Sequence, residues 1–316
     1  MAGDVGATKI LLEVGDIRSG AWTPALARRY ESAEMTFAEA LVRFLEEWKS
    51  RGRTPRITAA AFGAAGPRQG NCVKMTNRPW SVDGDQVVNR LGIAKARIVN
   101  DLEASARGLE LLPARELKTI QAGKAVEQAP RVVLGVGTGL GIAYLIEDQP
   151  LAGEGGHATF APVTPIQFEL VQAIRGQRGR VSNEDILSGA GLSRIYEFMM
   201  ARGDCAIPSP DSLRPDRISK EGLEGSDAMC SSALDLFVEC MGGVAGDHAV
   251  NLMATGGVFL TGGIVAKILP RLKSEHFRSA FCAKGVHSNL LKKIPVKAVM
   301  FERLPVLGAA AFASDL

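Results

Sequence analysis

The sequence lacks the cysteine spacing of a disulfide framework or a zinc site. Its 316 residues include five cysteines, and no Cys-x-x-Cys pair occurs among Cys72, Cys205, Cys230, Cys240 and Cys282. An odd number at wide spacing favours a reducing compartment over a secreted, disulfide-stapled fold. We therefore expect a cytoplasmic protein.

Long apolar runs and strong charge bias are also missing. No uninterrupted apolar stretch reaches the roughly 18 residues of a membrane span, and residues 1–6 lack the features of a signal peptide. The net charge is only +3, and no segment concentrates Lys and Arg. Neither a membrane nor a nucleic acid is therefore expected as a partner.

Glycine, in contrast, is abundant, and its 35 residues cluster beside short apolar runs. Such clusters indicate turns at strand ends, where α/β enzymes place their ligand loops. Apolar runs and helical spacing alternate at both ends of the chain, which predicts an α/β fold. Predicted strands include 10–14, 57–62, 97–99, 132–136, 142–146, 258–261 and 296–301, and predicted helices include 36–48, 102–112, 166–175, 192–201 and 228–253. Thr36 and Glu39 predict a capping box, Gly92 predicts the end of a short helix at 87–91, and the glycines at 242, 243 and 246 predict a kink or close packing in the helix 228–253.

The first candidate site is the segment 3–9, Gly-Asp-Val-Gly-Ala-Thr-Lys. Small residues let backbone amides approach a phosphate, Thr8 adds a hydroxyl donor, and Asp4 is placed to hold Mg²⁺ through water. The spacing is not that of a Walker A loop. The alternative is a tight hairpin turn with a solvated aspartate.

Two further segments offer related chemistry. Residues 135–141 repeat the strand, glycine and threonine pattern of a phosphate loop, with a glycine-rich hairpin as the alternative. Asn100 and Asp101 end a predicted strand, where a carboxylate can accept a hydroxyl proton and an amide can bind a sugar. On this dipeptide alone, helix capping by Asp101 is the favoured interpretation.

Polar residues at glycine-rich bends supply a possible sugar pocket. Glu154 and His157 flank two glycines, and Glu184 adds another acceptor, which suits a ligand with several hydroxyls. The alternatives are a surface loop, a satisfied histidine and a helix-start carboxylate. The segment 255–264 has an apolar strand between two glycine pairs, which can admit a nucleotide or can simply pack closely.

The order of these motifs along the chain resembles that of the actin-like ATPase and sugar-kinase superfamily. The amino-acid sequences of the segments are similar to those of bacterial glucokinases of the proteobacterial type. The similarity covers nearly the whole chain. Its segments are 3–9 (GDVGATK), 74–80 (KMTNRPW), 98–104 (IVNDLEA), 135–141 (GVGTGLG), 153–162 (GEGGHATFAP), 182–196 (SNEDILSGAGLSRIY), 251–264 (NLMATGGVFLTGGI) and 277–285 (FRSAFCAKG).

The resemblance implies a role for individual residues. Asp101 is the implied catalytic base. The implied sugar-binding set is Asn100, Asp101, Glu154, His157 and Glu184. The implied phosphate and nucleotide residues are Gly3, Asp4, Val5, Gly6, Ala7, Thr8, Gly137, Thr138, Gly139, Gly256, Gly257, Gly262 and Gly263, with Asp4 also serving Mg²⁺.

The implied architecture is a two-lobed actin-like ATPase (ribonuclease H-like) sugar kinase fold. A small α/β lobe of residues 1–111 plus 296–316 and a large lobe of residues 112–295 would flank a cleft. The implied protein is a homodimer that uses ATP and Mg²⁺ to phosphorylate the 6-hydroxyl of glucose. Alternatives are a kinase for another hexose, such as N-acetylglucosamine or mannose, and a non-catalytic sugar-sensing protein of the same fold.

The sequence departs from the family pattern at its start. Ala7 stands where the first loop usually has a second glycine, so backbone strain is expected if this position needs a positive φ. Only Met1 and Ala2 precede Gly3, so a stunted first strand is expected.

Overall fold

The computed structural model describes residues 1–52, 55–76, 78–206 and 209–316, so Asn77 of the segment 74–80 lies outside the described residues. The chain forms two compact units. The first comprises Met1–Glu116, Ala143–Ala152 and Phe301–Leu316, and the second comprises Leu117–Ile142 and Gly153–Met300.

Strands and helices are distributed along the whole chain. The strands are β1 (Ala2–Val5), β2 (Lys9–Arg18), β3 (Ala21–Glu31), β4 (Ala59–Ala64), β5 (Arg68–Gln69), β6 (Cys72–Lys74), β7 (Ser81–Asp83), β8 (Lys95–Asn100), β9 (Leu117–Gln121), β10 (Arg131–Val136), β11 (Leu140–Ile146), β12 (Gln149–Gly153), β13 (Gly257–Thr261) and β14 (Val296–Val299). The helices are α1 (Phe37–Ser50), α2 (Gly84–Leu91), α3 (Asp101–Gly108), α4 (Pro165–Arg178), α5 (Asn183–Ile186), α6 (Gly189–Arg202), α7 (Pro215–Glu224), α8 (Ala228–Leu252), α9 (Gly263–Lys267), α10 (Leu269–Leu272), α11 (Glu275–Cys282), α12 (Ser288–Leu291) and α13 (Leu304–Ser314).

The main sheet of the first unit has the strand order β3-β2-β1-β4-β8. Strands β1, β4 and β8 are parallel, and their register aligns Val5 with Ala64 and Ala64 with Asn100. The carboxyl ends of these three strands therefore meet at one edge of the sheet. This edge positions the first group of candidate residues, as expected for an α/β fold.

Although β1 has only four residues, it is the central strand of this sheet. It pairs with β2 on one side and β4 on the other. Gly3 is closely packed there, because a Cβ atom on it would lie 2.7 Å from the Phe62 side chain. The strand is short, as the sequence predicts, and it is paired along its full length.

The first helix confirms the local signals of the sequence. The Thr36 side chain accepts a hydrogen bond from the Glu39 amide, and the Glu39 carboxylate accepts one from the Thr36 amide, which forms the predicted capping box. The apolar face of α1, including Phe44 and Trp48, is buried in the core beside Phe62. Helix α2 ends at Gly92, whose left-handed φ of 62° supplies the expected cap.

The other large sheet has the order β12-β11-β10-β13-β14-β9. Strands β10, β13 and β14 are parallel, and β9 is antiparallel to β14. The register pairs Gly135 with Thr261, so the glycines that follow β10 and those that follow β13 lie at the same edge. This edge positions the second group of candidate residues.

Helix α8 is the long apolar helix of the second unit. By length and composition it could span a membrane, but 61% of its most apolar window is buried inside the protein. Its predicted close packing at glycine is confirmed: a Cβ atom on Gly242 would lie 2.3 Å from the Phe277 carbonyl oxygen, and one on Gly246 would lie 2.5 Å from that of Phe281. Both contacts are with α11.

Candidate active site

Asp4 is a buried carboxylate in the middle of the first sheet, with only 8% of the residue exposed. Alternation along β1 puts it on the same face as Ala2, which packs against Val306 and Ala309 of α13. Burial, with a smaller contribution from the nearby Asp101 carboxylate, raises the pKa of Asp4 to about 7 against the opposing effect of Lys9. The solvated aspartate considered from the sequence is therefore wrong.

Asp101 lies beside Asp4 at the carboxyl edge of the same sheet. Asp4 pairs with Gly63 across the strands, and a Cβ atom on Gly63 would lie 3.4 Å from the Asp101 Cα. Asp101 is half-buried, and its Oδ1 accepts the Leu102 amide at 3.0 Å. Two carboxylates this close form an acidic site, which suits a cation or a proton-accepting role.

Asn100, not Asp101, is the N-cap of α3. Its Oδ1 accepts hydrogen bonds from the amides of Leu102 at 2.9 Å and Glu103 at 3.3 Å. Its Nδ2 donates to the Gly66 carbonyl at 3.2 Å, which ties the ends of β4 and β8 together. The capping that the sequence assigned to Asp101 is therefore carried mainly by Asn100, because the strand ends one residue before the aspartate.

The segment after β1 forms a tight turn into β2. The Gly6 amide donates to the Lys9 carbonyl at 2.9 Å, and the Thr8 side chain is exposed at the tip. Ala7 is not among the non-glycine residues with positive φ, so the strain expected there is absent. Arg78 Nε donates to the Ala7 carbonyl at 2.9 Å and supports the turn.

The turn between β10 and β11 is closed by Glu184. The Gly137 amide donates to the Gly139 carbonyl at 2.9 Å, which leaves Thr138 exposed at the tip. Glu184 Oε2 accepts the Leu140 amide at 2.8 Å. A Cβ atom on Gly139 would lie 2.4 Å from the same oxygen, so glycine at this position lets the carboxylate approach the backbone.

Glu154 and His157 occupy the ends of one short loop, and both side chains are exposed. Glu154 Oε2 lies 3.9 Å from His157 Nε2. Between them, Gly156 packs so closely that a Cβ atom would lie 1.9 Å from the Leu140 carbonyl oxygen. The structure thus brings Glu154, His157 and Glu184 to the same set of second-unit loops as the turn 137–139.

The four glycines around β13 do not lie together. Gly262 packs against Val136, the residue just before the turn 137–139, since a Cβ atom on it would lie 2.3 Å from the Val136 carbonyl oxygen, and its φ is +104°. Gly256 precedes the strand, Gly257 is its first residue, and a Cβ atom on Gly256 would lie 2.4 Å from the Ala129 carbonyl oxygen. The five-residue rise along the strand separates Gly257 from Gly262 by about 17 Å.

Two residues that the sequence interpretation missed support the second group. Asn183 Nδ2 donates to the Gly155 carbonyl at 3.0 Å. A Cβ atom on Gly155 would lie 2.7 Å from His248 Cε1, and burial lowers the pKa of His248. Asn183 stands next to Glu184 in the sequence, but no local pattern marks a bond to a loop 28 residues earlier.

A cavity of about 380 Å³ lies elsewhere in the second unit, between α4, α8 and α11. Its lining includes Phe160, Glu239, Val244 and His276, and none of the predicted site residues contributes to it. The candidate active site is therefore defined by the polar groups at the sheet edges rather than by this cavity.

Comparison with solved structures identifies the class of fold. A glucokinase from an Antarctic psychrotroph superimposes with a TM-score of 0.85 at 27% sequence identity, covering 99% of this chain and 98% of the other. A ROK-family glucokinase from Streptomyces griseus shares the fold with a TM-score of 0.69 at 19% identity, covering 100% and 99% of the two chains. The fold is that of two-lobed sugar kinases, as the sequence predicts.

Sequence comparison then identifies the family. The chain matches the glucokinase family over residues 1–316. A glucokinase from Mesorhizobium japonicum is 40% identical over 82% of this chain and 76% of its own length. One from Psychromonas ingrahamii is 36% identical over 99% and 96%. The chain belongs to the glucokinase family.

Proposed function

We propose that this protein is a glucokinase that transfers the γ-phosphate of ATP to the 6-hydroxyl of glucose. The observation that carries the proposal is the Asp4–Asp101 carboxylate pair at the carboxyl edge of the first sheet, in a chain whose full length matches the glucokinase family. Phosphoryl transfer needs a base for the hydroxyl and a centre that binds a cation, and two neighbouring carboxylates with different burial provide both.

Asp101 is the proposed base. It follows β8 directly and is only half-buried, so it is the more accessible of the two carboxylates. It accepts the proton of the 6-hydroxyl as the hydroxyl oxygen attacks phosphorus, and the bond between the γ-phosphorus and the bridging oxygen breaks to release ADP. Asn100, Glu154, His157 and Glu184 are the proposed sugar ligands, because each has a polar side chain that can bind hydroxyl groups.

Glu184 and Asn100 would have to exchange or share existing contacts to bind sugar. Glu184 Oε2 accepts the Leu140 amide, and both polar atoms of the Asn100 side chain are hydrogen-bonded to the backbone. Carboxylate oxygens accept more than one hydrogen bond, so Glu184 can retain Leu140 and still accept a sugar hydroxyl. Asn100 Oδ1 already accepts two hydrogen bonds, so Asn100 can accept a further one from a sugar hydroxyl less readily than Glu184 can.

Asp4 fits a role in holding Mg²⁺ through water. Its carboxylate is buried beside a second carboxylate and has a raised pKa, so a divalent cation would offset the repulsion between them. When bound, Mg²⁺ neutralises charge on the transferring phosphoryl group. Backbone amides of the turns 6–9 and 137–139, with Thr8 and Thr138, are the proposed phosphate contacts.

Among the nucleotide glycines, the geometry favours one pair. Gly262 and Gly263 follow β13 at the same edge as the turn 137–139, so we propose that they approach the nucleotide. Gly256 and Gly257 lie at the opposite end of the strand, where they pack against the backbone of residues 129–130 and 295. Their positions support a packing role.

The remaining features of the proposal come from the family resemblance. We propose a homodimer in the cytoplasm, with a small lobe of residues 1–111 plus 296–316 and a large lobe of residues 112–295. The five cysteines are free thiols, which is compatible with a reducing compartment. Size-exclusion chromatography with light scattering measures the assembly.

The test is ADP release by the purified protein, measured with and without glucose and with and without Mg²⁺. We expect release that requires both. Asp101→Asn should lower kcat by about 10²–10⁴-fold, because it removes the general base while preserving shape. Asp16→Asn is the control, since Asp16 is an exposed aspartate of the same unit that pairs with Arg18. Near-normal turnover by a folded Asp101→Asn variant would refute this role.

A further inference from the structure

Three segments of the second unit are joined in a closed set of contacts around the proposed sugar ligands. Glu184 Oε2 accepts the Leu140 amide at 2.8 Å. The Leu140 carbonyl packs against Gly156, where a Cβ atom would lie 1.9 Å from the oxygen. The third link returns from the loop 154–157 to the start of α5 through Asn183.

Asn183 makes that third link with both its backbone and its side chain. Its amide donates to the Ala158 carbonyl at 2.9 Å, and its Nδ2 donates to the Gly155 carbonyl at 3.0 Å. The residue is only 6% exposed. These bonds hold the middle and the end of the loop 154–157 against α5.

Of the two bonds that Asn183 makes, only the side-chain bond depends on which amino acid occupies this position. Any residue at position 183 except proline can make the backbone bond, but the bond to Gly155 needs a short side chain with a hydrogen-bond donor. His248 also packs closely against Gly155, since a Cβ atom there would lie 2.7 Å from His248 Cε1. Gly155 is therefore held by the side-chain amide of Asn183 and packed against His248.

We infer that Asn183 is a positioning residue for glucose: it sets the separation between Glu184, its neighbour in α5, and the pair Glu154 and His157 on the loop. This inference rests on the proposed function. A loop that is exposed at both its polar ends would otherwise have to be ordered when the sugar binds, which reduces affinity. Preorganisation by Asn183 removes that cost before the substrate arrives.

The isosteric change Asn183→Asp gives a sharp test. It keeps the shape of the side chain but replaces the N–H donor by a carboxylate oxygen that faces the Gly155 carbonyl. Loss of such a bond in a buried site, with an unpaired acceptor left behind, corresponds to about 10-fold or more in binding. We expect the KM for glucose to rise by that factor, with the KM for ATP changed by less than twofold.

The pH dependence of the same variant separates positioning from general damage. Burial at position 183, which is 6% exposed, raises the pKa of the introduced aspartic acid, and its protonated form can donate to the Gly155 carbonyl. The ratio of glucose KM values, variant over wild type, should therefore fall as the pH is lowered from 8 to 5.5. Each ratio is taken at one pH, so that the charged and titratable groups common to both proteins contribute to both KM values; these groups are Glu154, His157, Glu184, Asp185, His248, Arg178, Arg180 and Arg194.

Asn71→Asp in the first unit is the matched control. Asn71 Nδ2 likewise donates to a backbone carbonyl, that of Ala96 at 2.9 Å, and its Oδ1 accepts the Ile98 amide. This variant should lower the melting temperature without a selective rise in the glucose KM. Asn183→Ala, which cannot regain a donor, should show the raised KM at every pH.

The outcomes distinguish this inference from the proposed function. A wild-type protein with no glucose-dependent ADP release overturns both. An active wild type whose Asn183→Asp variant keeps the glucose KM within twofold overturns the positioning role alone. Equal rises in the KM for glucose and for ATP, with no pH-dependent recovery, would show a structural role and would likewise overturn it.

Discussion

Asp4 has an environment very different from that of an ordinary surface aspartate. It lies in the central strand of a sheet, where apolar side chains are the rule, and its charge is opposed by burial and by Asp101. Such a group has a stability cost, and carboxylates in this situation are concentrated at functional sites, where a bound cation can offset the cost. The sequence located the residue but not its burial, because burial depends on strands β2 and β4 that pair with it.

The raised pKa of Asp4 predicts a pH-dependent stability. The unfolded carboxyl loses its proton near pH 3.8 and the folded one near pH 7, so the folded state holds the extra proton between these values. Stability therefore falls as the pH rises through this window, by up to about 4 kcal/mol in total. Asp4→Asn cannot titrate, so its melting temperature should increasingly exceed that of the wild type from pH 5 to pH 8.

Two controls connect this effect to its causes. Asp101→Asn removes the nearby charge that contributes to the shift, so it should reduce the slope without abolishing it. Mg²⁺ added at pH 8 should raise the melting temperature of the wild type more than that of Asp4→Asn, because the cation offsets the carboxylate charge. A difference between Asp4→Asn and wild type that is constant across the pH range would contradict the assignment.

At the scale of elements, the sequence predicted correctly the helix ends that depend only on residues close together in the chain. The capping box at Thr36 and the glycine cap at Gly92 need only neighbouring residues, and both are present. Strands β3, β9 and β12 were missed, because their strand conformation depends on partners in the sheet rather than on a marked apolar pattern. The contact between Glu184 and Leu140 spans 44 residues, and no local pattern encodes it.

The separation of the glycine pairs around β13 was within reach of the sequence. A predicted strand at 258–261 has its flanking glycines at opposite ends by geometry alone, since strands rise about 3.3 Å per residue. Grouping Gly256 and Gly257 with Gly262 and Gly263 followed the family pattern instead. The distance along a predicted strand is thus a useful check on any set of residues assigned to one site.

Gly262 and Gly263 form a matched pair for testing the turn after β13. Gly262 has a φ of +104° and no room for a Cβ atom, whereas nothing lies within 4 Å of a Cβ atom on Gly263. Gly262→Ala should cost about 1–3 kcal/mol of stability through strain and contact with the Val136 carbonyl. Gly263→Ala, at the first position of α9, should leave stability nearly unchanged.

Thermal unfolding followed by circular dichroism compares the two variants with the wild type. We expect a melting temperature lowered by about 3 °C or more for Gly262→Ala and a change of less than about 1 °C for Gly263→Ala. Similar melting temperatures for both variants would show that the backbone at Gly262 can relax, and that glycine is not required there.

On the scale of the whole molecule, the family assignment leaves one question that ligand-linked stability answers directly: which sugar the folded protein binds. A ligand that binds only the folded state stabilises it by about 2.7 kcal/mol at a concentration 100 times its Kd. For a chain of this size, that corresponds to a rise of about 5 °C in melting temperature.

We expect glucose to give this rise and N-acetylglucosamine and mannose to give less. The reason is that Glu154, His157 and Glu184 offer acceptors and donors for hydroxyl groups, and a bound sugar must satisfy these groups or leave them unpaired. N-acetylglucosamine lacks the free hydroxyl at C2, and mannose points that hydroxyl in a different direction. The same samples are then assayed for ADP release. Stabilisation by glucose together with glucose-dependent ADP release supports a glucokinase, and a larger rise with another hexose would identify a kinase for that sugar. Stabilisation without turnover, at saturating ATP and Mg²⁺, would instead identify a sugar-sensing protein, because binding energy alone does not require the base at Asp101.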